Sequence, residues 1–242
     1  MKESNIGYLD SIETMGLVDG PGVRVVVFLQ GCPLRCIFCH NPETWKIDVK
    51  NPMSSIELVE QIKKYKNYFG KDGGVTFSGG EPLTQSSFLL ETLKLCKNEN
   101  INTCLDTSGV GNNYEEILEY TDLVIWDIKA IEKESYKKIT GFKIEKSLEF
   151  LNYCQKINKK MWIRQVIVPG INDNEEYIMK LAKFIKPLHN IEKVELLPYH
   201  TDGVKKYEKM HIPYKLGNTK NMDIEICKNL EKLLREEIWK KN

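Results

Sequence analysis

No stretch of this sequence is apolar for long enough to cross a bilayer; the strongest run, Val23–Leu29, is interrupted by Arg24. An excess of one charge is missing as well. Lys and Arg number 35 against 34 Asp and Glu, a formal net charge of +1, so the electrostatic footprint of a nucleic-acid-binding or membrane-surface protein is absent. The opening residues Met1-Lys2-Glu3-Ser4-Asn5 are polar and lack the apolar core of a secretion signal. There is no internal repeat, no low-complexity tract and no clear linker, so the 242 residues are expected to form one domain, 1–242. A disulfide framework is absent too: the seven cysteines are an odd number, and Cys96, Cys104, Cys154 and Cys227 are scattered. That points to a reducing, cytoplasmic setting. Each of these four is expected to be a small buried hydrophobe.

The other three cysteines are not scattered. Cys32, Cys36 and Cys39 form a C-x3-C-x2-C loop directly after a β-branched run. Three thiolates in one short loop can hold three irons of a 4Fe–4S cubane and leave the fourth without a protein ligand, whereas electron-transfer clusters take four Cys. The alternative is a Cys3His zinc site. Against it, Cys39 and His40 are adjacent, and neighbouring side chains seldom close on one tetrahedral ion. No second C-x2-C pair supplies the other half of a zinc ribbon. Both readings stand on spacing alone; the visible spectrum separates a brown cluster from colourless zinc.

Strand-like and helix-like segments alternate along the chain. Strands are expected at 23–30, 74–78, 102–107, 122–129, 161–168 and 193–198. Helices are expected at 55–68, 85–97, 114–120, 133–139, 144–158, 174–186 and 223–239. In the first helix Ile56, Leu58, Val59, Ile62 and Tyr65 form the apolar stripe, with Ser54 or Ser55 as cap. Repeated β–α units imply a parallel sheet. Six units are too few for a closed eight-stranded barrel, and the pattern does not choose between an open doubly wound sheet and a partial barrel.

Each strand ends in, or carries, polar chemistry. Cys32 follows the first, Gly79-Gly80-Glu81 the second, Asp106-Thr107 close the third, Asp127 and Lys129 the fourth. Arg164 lies within the fifth and Tyr199-His200 follow the sixth. Sites in parallel α/β folds gather at the C-terminal strand ends. Taken singly, most have a plain structural explanation. Ser78-Gly79-Gly80-Glu81-Pro82 can be a strand-to-helix turn, the aspartates can be helix caps, and Asp19-Gly20-Pro21-Gly22 can be a tight turn. Alternatively, the two acids and the Thr107 hydroxyl suit a hard cation, and Lys129, two residues from Asp127, shares its strand face. His189 and His211 belong to no constellation.

These segments together resemble the radical S-adenosylmethionine (SAM) superfamily, through the three cysteines and Gly79-Gly80-Glu81. More narrowly, they resemble its pyruvate formate-lyase activating enzyme family. The narrower likeness rests on Asp19-Gly20-Pro21-Gly22-Val23-Arg24, Cys39-His40-Asn41 with Trp45, Asp127-Ile128-Lys129, Trp162-Ile163-Arg164 and Leu196-Leu197-Pro198-Tyr199-His200. It runs from about Ile12 to Leu216. Pro82 stands where some members of the family have another residue. No Cys-rich insert lies between Cys39 and Gly79, unlike several activases of other glycyl-radical enzymes.

The resemblance implies an α/β fold, a partial (β/α)6 TIM-like barrel, holding one 4Fe–4S cluster on Cys32, Cys36 and Cys39 together with SAM. It places Phe38, Cys39, His40, Gly79, Gly80, Glu81, Asp127, Ile128, Lys129 and His200 around SAM, with the GGE segment at its amino group. It assigns Asp106, Thr107 and Asp127 to a monovalent cation, K+ or Na+, and Asp19 and Arg164 to the glycine-bearing peptide. The implied partners are pyruvate formate-lyase as protein substrate and a flavodoxin or ferredoxin as reductant, with the chain a monomer and no nucleic acid or membrane involved. The alternative is a radical SAM enzyme acting on another glycyl-radical enzyme or on a small molecule, such as a deazaguanine-type synthase.

Overall fold

The computed structural model describes residues 5–49 and 52–240; the polar start read at residues 1–4 lies outside them. In chain order the elements are β1 (Ile6–Gly16), β2 (Arg24–Leu29), β3 (Pro52–Ser54), α1 (Ser55–Lys63), β4 (Gly74–Gly79), α2 (Ser86–Asn98), β5 (Asn102–Thr107), α3 (Tyr114–Glu119) and β6 (Leu123–Asp127). They continue with α4 (Lys133–Thr140), α5 (Glu145–Lys156), β7 (Met161–Ile167), α6 (Glu175–Ile185), β8 (Ile191–Pro198), α7 (Val204–Lys209) and α8 (Ile224–Trp239). Eight strands make one open sheet in the order β3-β1-β2-β4-β5-β6-β7-β8. From β2 to β8 all neighbours are parallel, the partial barrel implied by the family resemblance. β1 and β3 add an antiparallel edge that the sequence pattern did not reveal. No helix among the described residues is long and apolar enough to cross a membrane.

Strand periodicity sorts the side chains. Val25, Val27 and Leu29 of β2, Val75 and Phe77 of β4, and Val124 and Trp126 of β6 are buried in the cluster shared with the helices. The alternate positions point inward. Low in the barrel these are Cys104, Ile125 and Leu123 against Trp162, a small separate apolar layer. One turn of the pleat further along, they become polar. α1 begins on a capping box: Ser54 Oγ accepts from Glu57 N (3.2 Å) and Glu57 Oε2 accepts from Ser54 N (2.9 Å). The helix stops at Lys63 rather than Tyr68, and Ile56 is exposed rather than part of its stripe. Cys96, Cys104, Cys154 and Cys227 are free and fully or almost fully buried, as expected.

Arg24 is fully buried inside the barrel. Its guanidinium donates to Thr76 Oγ1 (2.7 Å), Val75 O (2.7 Å), Pro21 O (3.0 Å), Asn102 Oδ1 (3.0 Å) and Asp72 O (3.2 Å). Thr76 Oγ1 in turn donates to Asp19 O (2.5 Å). One buried cation, satisfied by neutral oxygens, thus ties the Asp19–Gly22 turn to β4 and β5. Arg24→Met keeps the apolar stem but strands these acceptors, so it is expected to cost about 2–4 kcal/mol, read as a lower urea midpoint. A midpoint equal to wild type would mean water satisfies the acceptors without the guanidinium.

Candidate functional site

A cavity of about 420 Å3 opens at the C-terminal ends of the parallel strands. Each strand supplies an inward side chain: Phe28 from β2, Ser78 from β4, Asp106 from β5, Asp127 from β6, Arg164 from β7 and Leu197 from β8. Cys32, Cys36 and Cys39 line the same space, with Phe38, His40, Gly79, Gly80, Thr107, Lys129, His200 and Asp19. The sequence-predicted residues are therefore brought together, with two exceptions.

The cysteine loop is held by its backbone. Gly31 N donates to Thr44 O (2.7 Å), Arg35 N to Thr140 O (2.8 Å), Ile37 N to Ile139 O (2.9 Å) and Tyr207 Oη to Cys39 O (3.0 Å). The Arg35 guanidinium donates to Cys32 O and Leu34 O, each at 2.7 Å. The glycine turn packs directly on this loop. Gly80 N reaches Leu29 O and Glu81 N reaches Gly31 O, both at 2.8 Å. A Cβ on Gly79 (φ +109°) would stand 2.3 Å from Leu29 N, and one on Gly80 2.4 Å from Gly31 O, so only glycine fits either position. Burial pushes the Cys32 and Cys36 thiols up to about 12. Among the described residues no three His, Cys, Asp or Glu side chains converge on a point where one metal ion would sit. Three thiols around one wider chamber fit a group several atoms across.

Glu81 is the first exception. Expected at the SAM amino group, it is 1% exposed and does not line the cavity. Its carboxylate accepts from Thr107 Oγ1 (2.5 Å), Ser108 Oγ (2.5 Å), Ser108 N (2.9 Å) and Leu83 N (3.2 Å). Both oxygens are committed within the protein, so the side chain braces the loop after β5 instead of offering itself to a ligand. Ile128 is the second: it points away into the helix-side core, 2% exposed.

Charges alternate along the cavity wall. Lys129 pairs with Asp127 and lies 5.8 Å above the Phe38 ring. Burial pulls its ammonium down, but Asp127 and Cys36 more than reverse this, and it stays charged. Asp127 Oδ1 is buried with no hydrogen-bond partner among the described residues. Asp106 accepts from Ser78 Oγ (2.8 Å). Burial, reinforced by Asp127 and opposed by Arg164, pushes its carboxyl up to about 6. Arg164 donates to Glu195 Oε2 (2.8 Å) and to Val18 O, and faces Asp19 at 3.8 Å. At the rim, His40 Nε2 meets His200 O at 2.7 Å, with the two rings edge to face at 3.9 Å.

Sequence reasoning assigned no role to two supporting residues. Ser78 and Glu195 occupy the strand positions that face the cavity side, two residues from other inward residues, so alternation could have found them. Tyr199, expected at the end of the last strand, lines the cavity and shares a 2.7 Å hydroxyl–hydroxyl bond with Tyr214, a partner no spacing signals.

Residues 26–182 match the radical SAM superfamily. Among curated proteins, the chain is 52% identical over 233 residues to the pyruvate formate-lyase-activating enzyme of Clostridium pasteurianum, covering 96% of this chain and 98% of that one. It is 44% identical over 232 residues to the enzyme of the same name from Staphylococcus epidermidis, covering 92% of each. Among solved structures, Streptococcus suis SuiB bound to precursor peptide SuiA superposes with a TM-score of 0.69 at 17% identity, over 89% of this chain and 46% of that one. Escherichia coli QueE gives 0.53 at 16% identity, over 86% and 92%. These two likenesses are of fold alone.

The raised Asp106 carboxyl has a consequence for stability. Between its ordinary 3.8 and about 6 the folded protein holds a proton that the unfolded chain has released. Stability therefore falls as pH rises through that window. Asp106→Asn keeps the acceptor for Ser78 and has no proton to lose. Without bound cofactors it is expected to melt a few degrees above wild type at pH 7.5 and level with it at pH 4, followed by circular dichroism. Equal melting at pH 7.5 would mean the carboxylate is well solvated.

Proposed function

This chain belongs to the radical SAM superfamily and, within it, to the pyruvate formate-lyase-activating enzymes, and we infer that it installs a glycyl radical on pyruvate formate-lyase by reductive cleavage of SAM at a 4Fe–4S cluster. The observation that carries the residue assignment is the cavity itself. Among the described residues Cys32, Cys36 and Cys39 are the only cysteines lining it, and these three would hold the cluster with fewer thiolates than it has irons. When bound, the cluster would supply the one-electron reducing power for SAM cleavage and, through it, for hydrogen-atom abstraction from a glycine of the partner.

The chain's own residues position and shield. Cys32, Cys36 and Cys39 are assigned as the three ligands. Gly79 and Gly80 let the backbone approach the SAM amino group, and Glu81 acts behind them as a positioning residue. Phe38, His40 and His200 wall the chamber against water. Lys129 is assigned to the SAM carboxylate, which requires it to share or leave Asp127. Asp127, whose second oxygen already lacks a partner, then takes a monovalent cation, K+ or Na+, together with Asp106 and Thr107. The donor set of carboxylates and a hydroxyl fits such an ion. Asp19 and Arg164 are assigned to the extended peptide that carries the glycine. Arg164 is already held by Glu195 and Val18, leaving Asp19 the more adjustable of the pair. A flavodoxin or ferredoxin is the proposed electron source.

Two experiments test this reading. After anaerobic reconstitution the chain is expected to carry about four irons and four sulfides. Alanine at any of Cys32, Cys36 or Cys39 should abolish both SAM cleavage and the glycyl-radical signal in electron paramagnetic resonance. Alanine at Cys96, Cys154 or Cys227 should leave both in place. Stoichiometric zinc without iron would overturn the assignment.

The second experiment separates peptide from SAM. Asp19→Asn removes one charge-assisted hydrogen bond, so glycyl-radical formation at limiting partner should fall roughly ten- to a hundred-fold. SAM affinity should be unchanged. Wild-type activation by this variant would count against the peptide assignment, and lost SAM binding would move Asp19 to the cofactor.

A further inference from the structure

Cys36 differs from the other two loop cysteines in one respect. It lines the main cavity and also a second, separate cleft of about 100 Å3 that opens behind the loop. That cleft is too small for an organic cofactor, since ligand pockets run to about 300 Å3 or more. Anything that communicates with the main cavity through it must therefore act from outside.

The walls of the cleft are apolar: Trp45, Tyr207, Ile212 and Pro213. Trp45 and Tyr207 meet edge to face at 5.8 Å, and the Arg35 guanidinium lies 4.9 Å over the Trp45 ring. Among the described residues the only charged side chains lining it, Arg35 and Lys215, are both cationic, although the whole chain is nearly neutral. The same walls grip the cysteine loop. Arg35 bonds Cys32 O and Leu34 O, and Tyr207 bonds Cys39 O. An apolar, aromatic depression lined also by Cys36 and by two cationic residues has the chemistry of an electron-transfer contact.

We propose that the cleft behind Cys36 is where a small acidic one-electron carrier protein docks and delivers its electron. The proposal rests on the functional reading above and adds where the reductant binds. The carrier presents carboxylates to Arg35 and Lys215 and the exposed edge of its redox group to the apolar walls. The carrier is oxidised by one electron and the cluster held by Cys36 is reduced by one. No proton moves and no bond is made or broken in that step.

The test titrates the reconstituted protein with a flavodoxin, an acidic flavin carrier, at low and at high ionic strength, reading equilibrium binding. Lys215 is exposed and lies outside the SAM chamber, so Lys215→Glu should spare it. The variant is expected to bind about tenfold more weakly at low salt and to lose most of the salt dependence. Lys215→Arg should bind as wild type does. SAM cleavage driven by dithionite, which needs no docking, should be the same in all three. Wild-type affinity and salt dependence in Lys215→Glu would overturn the proposal. So would loss of dithionite-driven cleavage in that variant, which would put Lys215 in the SAM chamber. No SAM cleavage by wild type with dithionite would overturn the functional reading itself, and this proposal with it.

Discussion

The buried carboxylate of Glu81 is the interaction on which the rest of the site depends. It sits where three segments meet: the turn after β4, the loop after β5 and, through its own backbone N–H, the glycine that opens the cysteine loop. Burial raises its carboxyl, and four hydrogen bonds from Thr107, Ser108 and Leu83 oppose that rise without cancelling it. Removing it would leave Thr107, Ser108 and Leu83 without their acceptor, and the Gly79–Gly80 turn would lose its register against Leu29 and Gly31. The cavity is thus defined from behind by a group that never enters it.

The charges inside the chamber follow the same economy. Four acids, Asp106, Asp127, Asp19 and Glu195, outnumber two cations, Lys129 and Arg164, and they are not simple pairs. Arg164 answers to Glu195, Asp19 and Asp106 together, and Asp127 keeps one oxygen without a partner. An excess of buried acid with one oxygen left without a partner favours added positive charge or a hydrogen-bond donor at that wall.

Much of this was legible in the sequence. The six parallel strands announced themselves as β-branched runs, and the polar residues at their ends could be read as one site because topology forces those ends together. The edge strands were not legible. β1 alternates buried and exposed residues irregularly and bends through register shifts against β2, and β3 is only three residues long and begins with proline. Glu81 was read as a ligand contact because its motif says which residue is present, not which way its carboxylate turns. Arg24 looked like an interruption in an apolar strand; its neutral-oxygen partners come from distant segments, and no local pattern encodes them. Alternation along its strand could place Glu195 on the inner face, but not its partner, a guanidinium on the neighbouring strand.

The sheet also has ends. β8 has no partner beyond it and β3 closes the other side, so the wall around the chamber is a strip and not a ring. A complete ring would admit a long polymer through its mouth alone, and a bend pushed in there would need room for both of its arms. A strip can be approached from the side, across the gap between its margins. The middle of an already folded polypeptide can then be laid in and lifted out without either terminus passing through.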